Sequence, residues 1–234
     1  ADWTGVEDLR GQTAPKVSVS IGQDGGGEGA ALYDSGNLGF SLGDIGSVLG
    51  WATVKNVHEN IAWPAEFPVA FDGEFDVPAL ANGDLVSENE DVLDGLNTKG
   101  YIFLRKHVGL SGSYFNDSHT ATAATSDYAY LENNQVIDKA IRGVYTYLIN
   151  QLNRPITVDP DTGKIDPLTA SFLENKGRIP LSQMVSDQEL SGFSVAIDPD
   201  QNVLSTSKIE VKIQLVINGV ARTITVTIGF SQSV

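Results

Sequence analysis

From Lys208 to Ile217 the chain alternates in a period of two, with Ile209, Val211, Ile213, Leu215 and Ile217 set between Lys208, Glu210, Lys212 and Gln214. That period is the mark of a half-buried strand. Asn218-Gly219 follows, a dipeptide that tolerates the positive φ angles of a tight hairpin turn. Val220, Arg222, Ile224, Val226, Ile228 and Phe230 then share one face, and Ala221, Thr223, Thr225 and Thr227 the other. The pattern predicts a terminal β-hairpin, Lys208–Ile217 and Val220–Phe230, whose Thr-rich face suits solvent or a neighbouring chain. A long strand near a chain end also invites pairing between molecules, although the same pattern suits an ordinary hairpin within its own sheet.

Upstream, strand-like and helix-like stretches alternate. Lys16–Ile21 reads as a short strand, Gly22–Gly29 as a flexible loop, and Ser41–Val54 as a helix with Leu42, Ile45, Val48, Leu49 and Ala52 on one side. Ser41 is placed to cap that helix, with Asp44 three residues on. A strand near Val69–Phe71, an acidic helix near Glu88–Leu96 and an apolar strand Tyr101–Leu104 follow. Gly109–Ser126, rich in Gly, Ser, Thr and Ala, reads as an exposed loop between two units. Asn134–Leu152 carries Ile137, Ala140, Ile141, Val144, Leu148 and Leu152 at helical spacing, and Pro155 closes it. Asp166-Pro167 supplies a cap and a first-turn proline for a short helix running toward Gly177. Phe193–Ile197 and the two hairpin strands complete the chain. The expected architecture is an α/β unit with a mixed or parallel sheet over residues 1–122. An α+β unit over 123–234 packs helices on an antiparallel sheet.

Composition narrows the function. A net charge of −15 over 234 residues disfavours nucleic-acid and anionic membrane partners, because phosphates repel such a surface. No apolar run is long enough to span a bilayer, and the start of the sequence lacks a secretory pattern. With no initiator methionine, the sequence reads as a processed or truncated piece. The absence of cysteine excludes disulfides and thiolate metal sites and fits a cytosolic origin.

Candidate chemistry is sparse. Gly39-Phe-Ser-Leu-Gly43 has the spacing of a serine-hydrolase elbow at Ser41, but the preceding residues are too polar for the required strand. His58, His107 and His119 all fall in the first half or near the midpoint, where a late triad histidine is not expected. A helix cap accounts for Ser41 equally well. Gly25, Gly27 and Gly29 match no phosphate-binding spacing, and Asp24 and Glu28 would repel the anion. Asp159–Asp166 and Asp198–Asn202 place oxygen ligands near turns, without the terminal bidentate glutamate of a calcium loop. Tyr114 and Phe115, within Ser113–His119, could form a contact surface or tuck against their own domain.

The order of motifs Gly100–Gly109, Gly112–Asp117, Ser126–Tyr130 and Glu132–Arg142, ending in the alternating stretch with Gly229-Phe230, resembles the tail sheath proteins of contractile phages and prophages. Leu49-Gly50 and Val57–Trp63 add weaker support. The resemblance implies a structural protein, not an enzyme, that needs no cofactor or metal. It implies stacked rings, commonly of six subunits, around an inner tail tube protein, with terminal segments exchanged between neighbours by strand addition. The implied location is the cytoplasm on synthesis, then a virion tail or a phage-derived contractile particle. Under it, Lys208, Val211, Ile213, Val220, Thr223, Thr225, Thr227 and Phe230 would carry self-assembly, and Lys139 and Arg142 would contact the tube. A soluble binding module using the 109–126 loop is the alternative, and a hydrolase at Ser41 a more remote one.

Overall fold

The computed structural model describes residues 3–32, 42–69, 75–228 and 230. Its first half contains β1 (Thr13–Ala14), β2 (Gly22–Asp24), α1 (Glu28–Leu32), α2 (Ile45–Val54), β3 (Pro78–Leu80), α3 (Glu90–Thr98), β4 (Leu104–Arg105), β5 (Tyr114–Phe115) and β6 (Ala121–Thr122). The second half contains α4 (Leu131–Leu148), α5 (Pro167–Ser186), β7 (Leu190–Ile197), α6 (Val203–Thr206) and β8 (Val211–Ile217). The fold is mixed, with helices and short antiparallel sheets.

In the first half β1 pairs with β6, β2 with β3, and β4 with β5, all antiparallel, while a parallel bridge joins Ser20 to Ile102. The apolar run Tyr101–Leu104 lies between two cores. Strand periodicity sends Tyr101 and Phe103 toward Leu80, Leu93 and Leu96, and sends Ile102 and Leu104 toward Ile61, Val69 and Phe115.

Several local expectations change. Lys16–Ile21 contributes only a bridge at Ser20, and the regular strand is β2, inside the supposed flexible loop. Gly22 is there for packing: a Cβ at that position would lie 3.1 Å from the Leu104 backbone nitrogen. The stretch 109–126 is not an exposed divider, since it contains β5 and β6 and buries Tyr114 and Phe115. Asp44 rather than Ser41 caps α2, accepting a hydrogen bond from the Ser47 amide at 3.0 Å. Val48 is buried on that helix whereas Ile45 and Leu49 are exposed. Ser41 lies outside the described residues, as does all but Val69 of the expected strand there.

In the second half, α4 and α5 lie against the β7–β8 pair. Val136, Ala140 and Val144 of α4 meet Leu181 and Met184 of α5 and Leu190 and Val195 of β7. Asp166 caps α5 through the Thr169 amide, as its sequence predicts, but the helix runs past Gly177 and through Pro180 to Ser186. The expected terminal hairpin does not form. The partner of β8 is β7, in antiparallel register from Phe193–Leu215 to Ile197–Val211, and residues 218–228 belong to no helix or strand.

A Cβ on Gly143 of α4 would sit 3.0 Å from the Pro180 Cβ, so these helices approach through a missing side chain. Gly143→Val is expected to destabilise the fold by about 1–3 kcal/mol in urea unfolding, because the proline ring is rigid. Gly50→Ala, with open space around its position in α2, is expected to stabilise by about 0.5–1 kcal/mol.

Candidate assembly site: an exposed arm and its anchor

Beyond Asn218 the chain leaves the sheet as an arm that belongs to no helix or strand. Ile224, Val226 and Ile228 are 80%, 72% and 86% exposed, and Phe230 is fully exposed. Apolar side chains of that size exposed in a row on a segment outside any sheet are an interaction surface by ordinary criteria. The root of the arm is fixed by Arg222. Its Nε donates to Asp117 Oδ2 at 2.8 Å and its Nη2 donates to Glu132 Oε1 at 2.6 Å. The guanidinium lies 3.4 Å from the centre of the Tyr130 ring.

Asp117 precedes β6 and Glu132 sits in the first turn of α4, both buried. The amide of Asn60 donates to both carboxylates, at 2.8 and 3.2 Å, and Ser118 donates its backbone N–H to Asp117 and its hydroxyl to Glu132. Two carboxylates therefore share one neutral amide and one cation. Without Arg222 this pocket would strand negative charge away from water. Burial works against the guanidinium charge, but Asp117 and Glu132 outweigh it and hold the Arg222 pKa above its ordinary value. Lys55 stands nearby, its Nζ donating to Gln135 Oε1 at 2.6 Å. Burial lowers its pKa to about 8, against the opposing pull of Glu132 and Glu59.

His119 also packs beside Tyr130, with ring centroids 5.7 Å apart. Arg10 Nη2 approaches its Nδ1 at 2.6 Å, and because arginine can only donate, Nδ1 is the acceptor. Nε2–H then donates to Asn97 Oδ1 at 2.9 Å, giving a neutral ring. Burial pushes its pKa down to about 4; Asp117 opposes this, while Arg10 and Arg222 reinforce it.

The sheet that the arm leaves has two unlike edges. Along the outer side of β7, Arg178 Nη2 donates to the Val195 carbonyl at 2.9 Å and Glu174 Oε1 accepts from the Ile197 amide at 2.7 Å. Side chains of α5 thus occupy two backbone groups of that edge, the Val195 carbonyl and the Ile197 amide. Since Val195 and Ile197 point theirs away from β8, their partners Ile213 and Val211 point theirs away from β7. So does Leu215, two residues on. Among the described residues nothing pairs with this outer edge of β8. Its inward side chains Val211, Ile213, Leu215 and Ile217 are only half-buried, whereas Leu190, Val195 and Ile197 of β7 are buried.

Of the residues singled out by sequence, Val211 and Ile213 lie on the open edge, and Val220, Thr223, Thr225, Thr227 and Phe230 lie on the arm. Lys208 pairs with Glu210 outside the strand. Lys139 pairs with Glu189, and Arg142 is exposed on α4. Asp159 accepts from the Asp161 and Thr162 amides as a turn, and no group of three His, Asp or Glu side chains suited to a metal occurs among the described residues. Sequence reasoning missed Arg222, Asp117, Glu132, Glu174 and Arg178. Arg222 alone carried a legible signal, as a charge on the apolar face of the expected return strand.

Residues 127–234 match the family model described as DUF2586, C-terminal domain. That span holds α4, α5, the β7–β8 pair and the arm. The fold is similar to a chain in the cryo-EM structure of the anti-feeding prophage (AFP) baseplate, 6-fold symmetrised. The TM-score is 0.54 at 15% identity, over 80% of this chain and 49% of that one. A chain in the cryo-EM structure of an extracellular contractile injection system, the PVC sheath complex in its contracted state, aligns with a TM-score of 0.49. Identity there is 15%, over 62% of this chain and 40% of that one. This chain spans about half the length of the AFP baseplate chain or less than half that of the PVC one. No curated protein sequence matches it.

Arg222→Ala is expected to cost about 3 kcal/mol, the low end for uncovering a buried charge, and to raise arm mobility in backbone relaxation measurements. For His119 the unfolded ring takes up a proton near pH 6.5 while the folded ring, facing Arg10, Asn97, Asp117, Arg222 and Tyr130, resists until about pH 4. Stability from this residue is therefore lost as pH falls from 6.5 toward 4. The difference in unfolding free energy between the native protein and His119→Gln is expected to shift against the native protein across that window.

Proposed function

We propose that this chain is a structural subunit, not an enzyme, of a contractile tail particle, and specifically a sheath subunit that stacks in rings around an inner tube. The observation that carries the reading is the presence on one chain of two complementary unpaired surfaces. One is an arm with a row of exposed apolar side chains. The other is a sheet edge whose inward side chains lack a covering strand. The arm of one copy adds to β8 of the next, a heterologous contact that propagates from copy to copy into a ring or helix.

The fold likeness to a chain of the AFP baseplate structure supports a particle component. The motif order from Gly100 to Phe230 supports the sheath in particular. A baseplate component is the second reading, favoured by the same fold likeness. Partners in this account are other copies and the inner tail tube protein, with Arg142 and the partly engaged Lys139 on α4 as candidate tube contacts. Neither nucleic acid nor membrane enters it; no helix among the described residues is long and apolar enough to cross a bilayer. The protein is made in the cytoplasm and acts in a virion tail or a phage-derived particle.

Negative-stain electron microscopy, with and without the tube protein, tests the reading. Hollow tubes or stacked rings are expected for a sheath. Discrete assemblies of fixed size favour the baseplate, and dispersed monomers under both conditions contradict both. Val226→Pro, which removes a backbone donor from the arm, is expected to abolish assembly while leaving monomer stability within about 0.5 kcal/mol, because Val226 is exposed.

A further inference from the structure

An apolar groove of about 990 Å³ lies between the C-terminal end of α4, the start of α5 and the segment leading into β8. Tyr145, Ile149, Leu168, Phe172, Leu204 and Val211 are among its lining residues. Leu168 and Leu204 are 80% and 73% exposed, so the groove is dressed for an occupant. Val211 belongs both to the groove and to the open edge of β8, and the groove therefore begins where that edge ends. At the Ile217 end, by contrast, Asn218 is engaged with Ser191 and the Gln188 carbonyl, a polar corner.

Direction decides which of these ends receives the tip of an added strand. We infer that the arm of one copy runs antiparallel along β8 of its neighbour and seats Phe230 in this groove. The inference rests on the strand-addition reading above and adds the direction, the register and the anchoring pocket. In the antiparallel register Ile224, Val226, Ile228 and Phe230 stand opposite Ile217, Leu215, Ile213 and Val211. Directly opposed residues share a face, so the apolar side chains of the arm extend the half-buried row of β8. Thr225 and Thr227 then oppose Val216 and Gln214 on the solvent side, and Arg222 falls beyond the strand, free to keep its anchor. A parallel arm preserves the alternation of faces but places Phe230 beside the polar corner. The groove also offers an aromatic ring prepared for a second one. Phe172 is approached by Arg154 at 5.6 Å and by Lys176 at 5.5 Å, and these cations are near enough to meet another ring face.

The protein has no cysteine, so paired cysteine substitutions report direction without background. Chains carrying Thr225→Cys are mixed with chains carrying either Val216→Cys or Lys212→Cys, so that only a contact between copies yields a mixed disulfide. Thr225 and Val216 meet in the antiparallel register at a non-hydrogen-bonded pair, where the Cα separation suits a disulfide, and Thr225 and Lys212 meet in the parallel one. The Val216 pair is expected to link. Phe230→Ala, and separately Leu168→Glu, are each expected to cut its yield about tenfold. Leu168 is exposed in the first turn of α5, where an acid is compatible with the helix dipole, so that variant should stay folded. Linkage of the Lys212 pair instead overturns the inference but leaves strand addition standing, as does a Val216 link unaffected by Phe230→Ala and Leu168→Glu. Linkage of neither pair removes both.

Discussion

The arrangement depends on one guanidinium. Asn218-Gly219 could turn the chain back onto β8, and the two-residue turn would then set Val220 opposite Ile217 and Arg222 opposite Leu215. That register drives a charge into the apolar row. The protein instead delivers Arg222 to Asp117 and Glu132, two buried carboxylates that need a cation, and to the face of Tyr130. A single ion-pair cluster thus withdraws the arm from its own sheet. The electrostatic need of the first half of the chain and the hydrophobic need of the arm are met by different partners.

The same logic distinguishes the two edges of the β7–β8 pair. A free sheet edge invites indiscriminate pairing, and proteins commonly cover one edge while leaving another for use. Here α5 covers the β7 edge with Glu174 and Arg178, both on the helix face that packs against β7. Only β8 remains to receive a strand. Directionality of this kind is what a propagating assembly requires, since each copy must donate once and accept once. The remote groove then gives the added strand a fixed end point, so that alternation alone does not have to specify the register.

Much of this was readable in the sequence where a local rule dominates. The period-two run gave β8 and the Asp166-Pro167 pair gave the start of α5; of the helical row Ile137, Ala140, Ile141, Val144, Leu148 and Leu152, Ala140 and Val144 lie on the buried face of α4, whereas Ile141 is exposed and Leu152 falls beyond the helix. Failures came where composition stood in for packing. The Gly, Ser, Thr and Ala content of 109–126 suggested exposure, but within it Asn116, Asp117, Ser118 and His119 are buried or half-buried because each finds a hydrogen-bond partner inside the fold. The glycines after Ile21 suggested mobility, yet Gly22 serves a close backbone approach. The hairpin failed for a different reason: its turn suited the local sequence, but its alternation set Arg222 in the apolar row, and the guanidinium goes instead to Asp117 and Glu132, carboxylates that no local pattern connects to it.

The most direct test of the account is amide hydrogen exchange at Val211, Ile213 and Leu215, compared between the monomer and the assembled protein. Their outward N–H groups face solvent in the monomer and should exchange quickly. Strand addition predicts that all three slow by about a hundredfold or more on assembly, in step with the amides of Ile224, Val226 and Ile228, which face β8 in the antiparallel register. Unchanged exchange at these three positions in assembled particles would show that the β8 edge receives no strand, and would contradict the account.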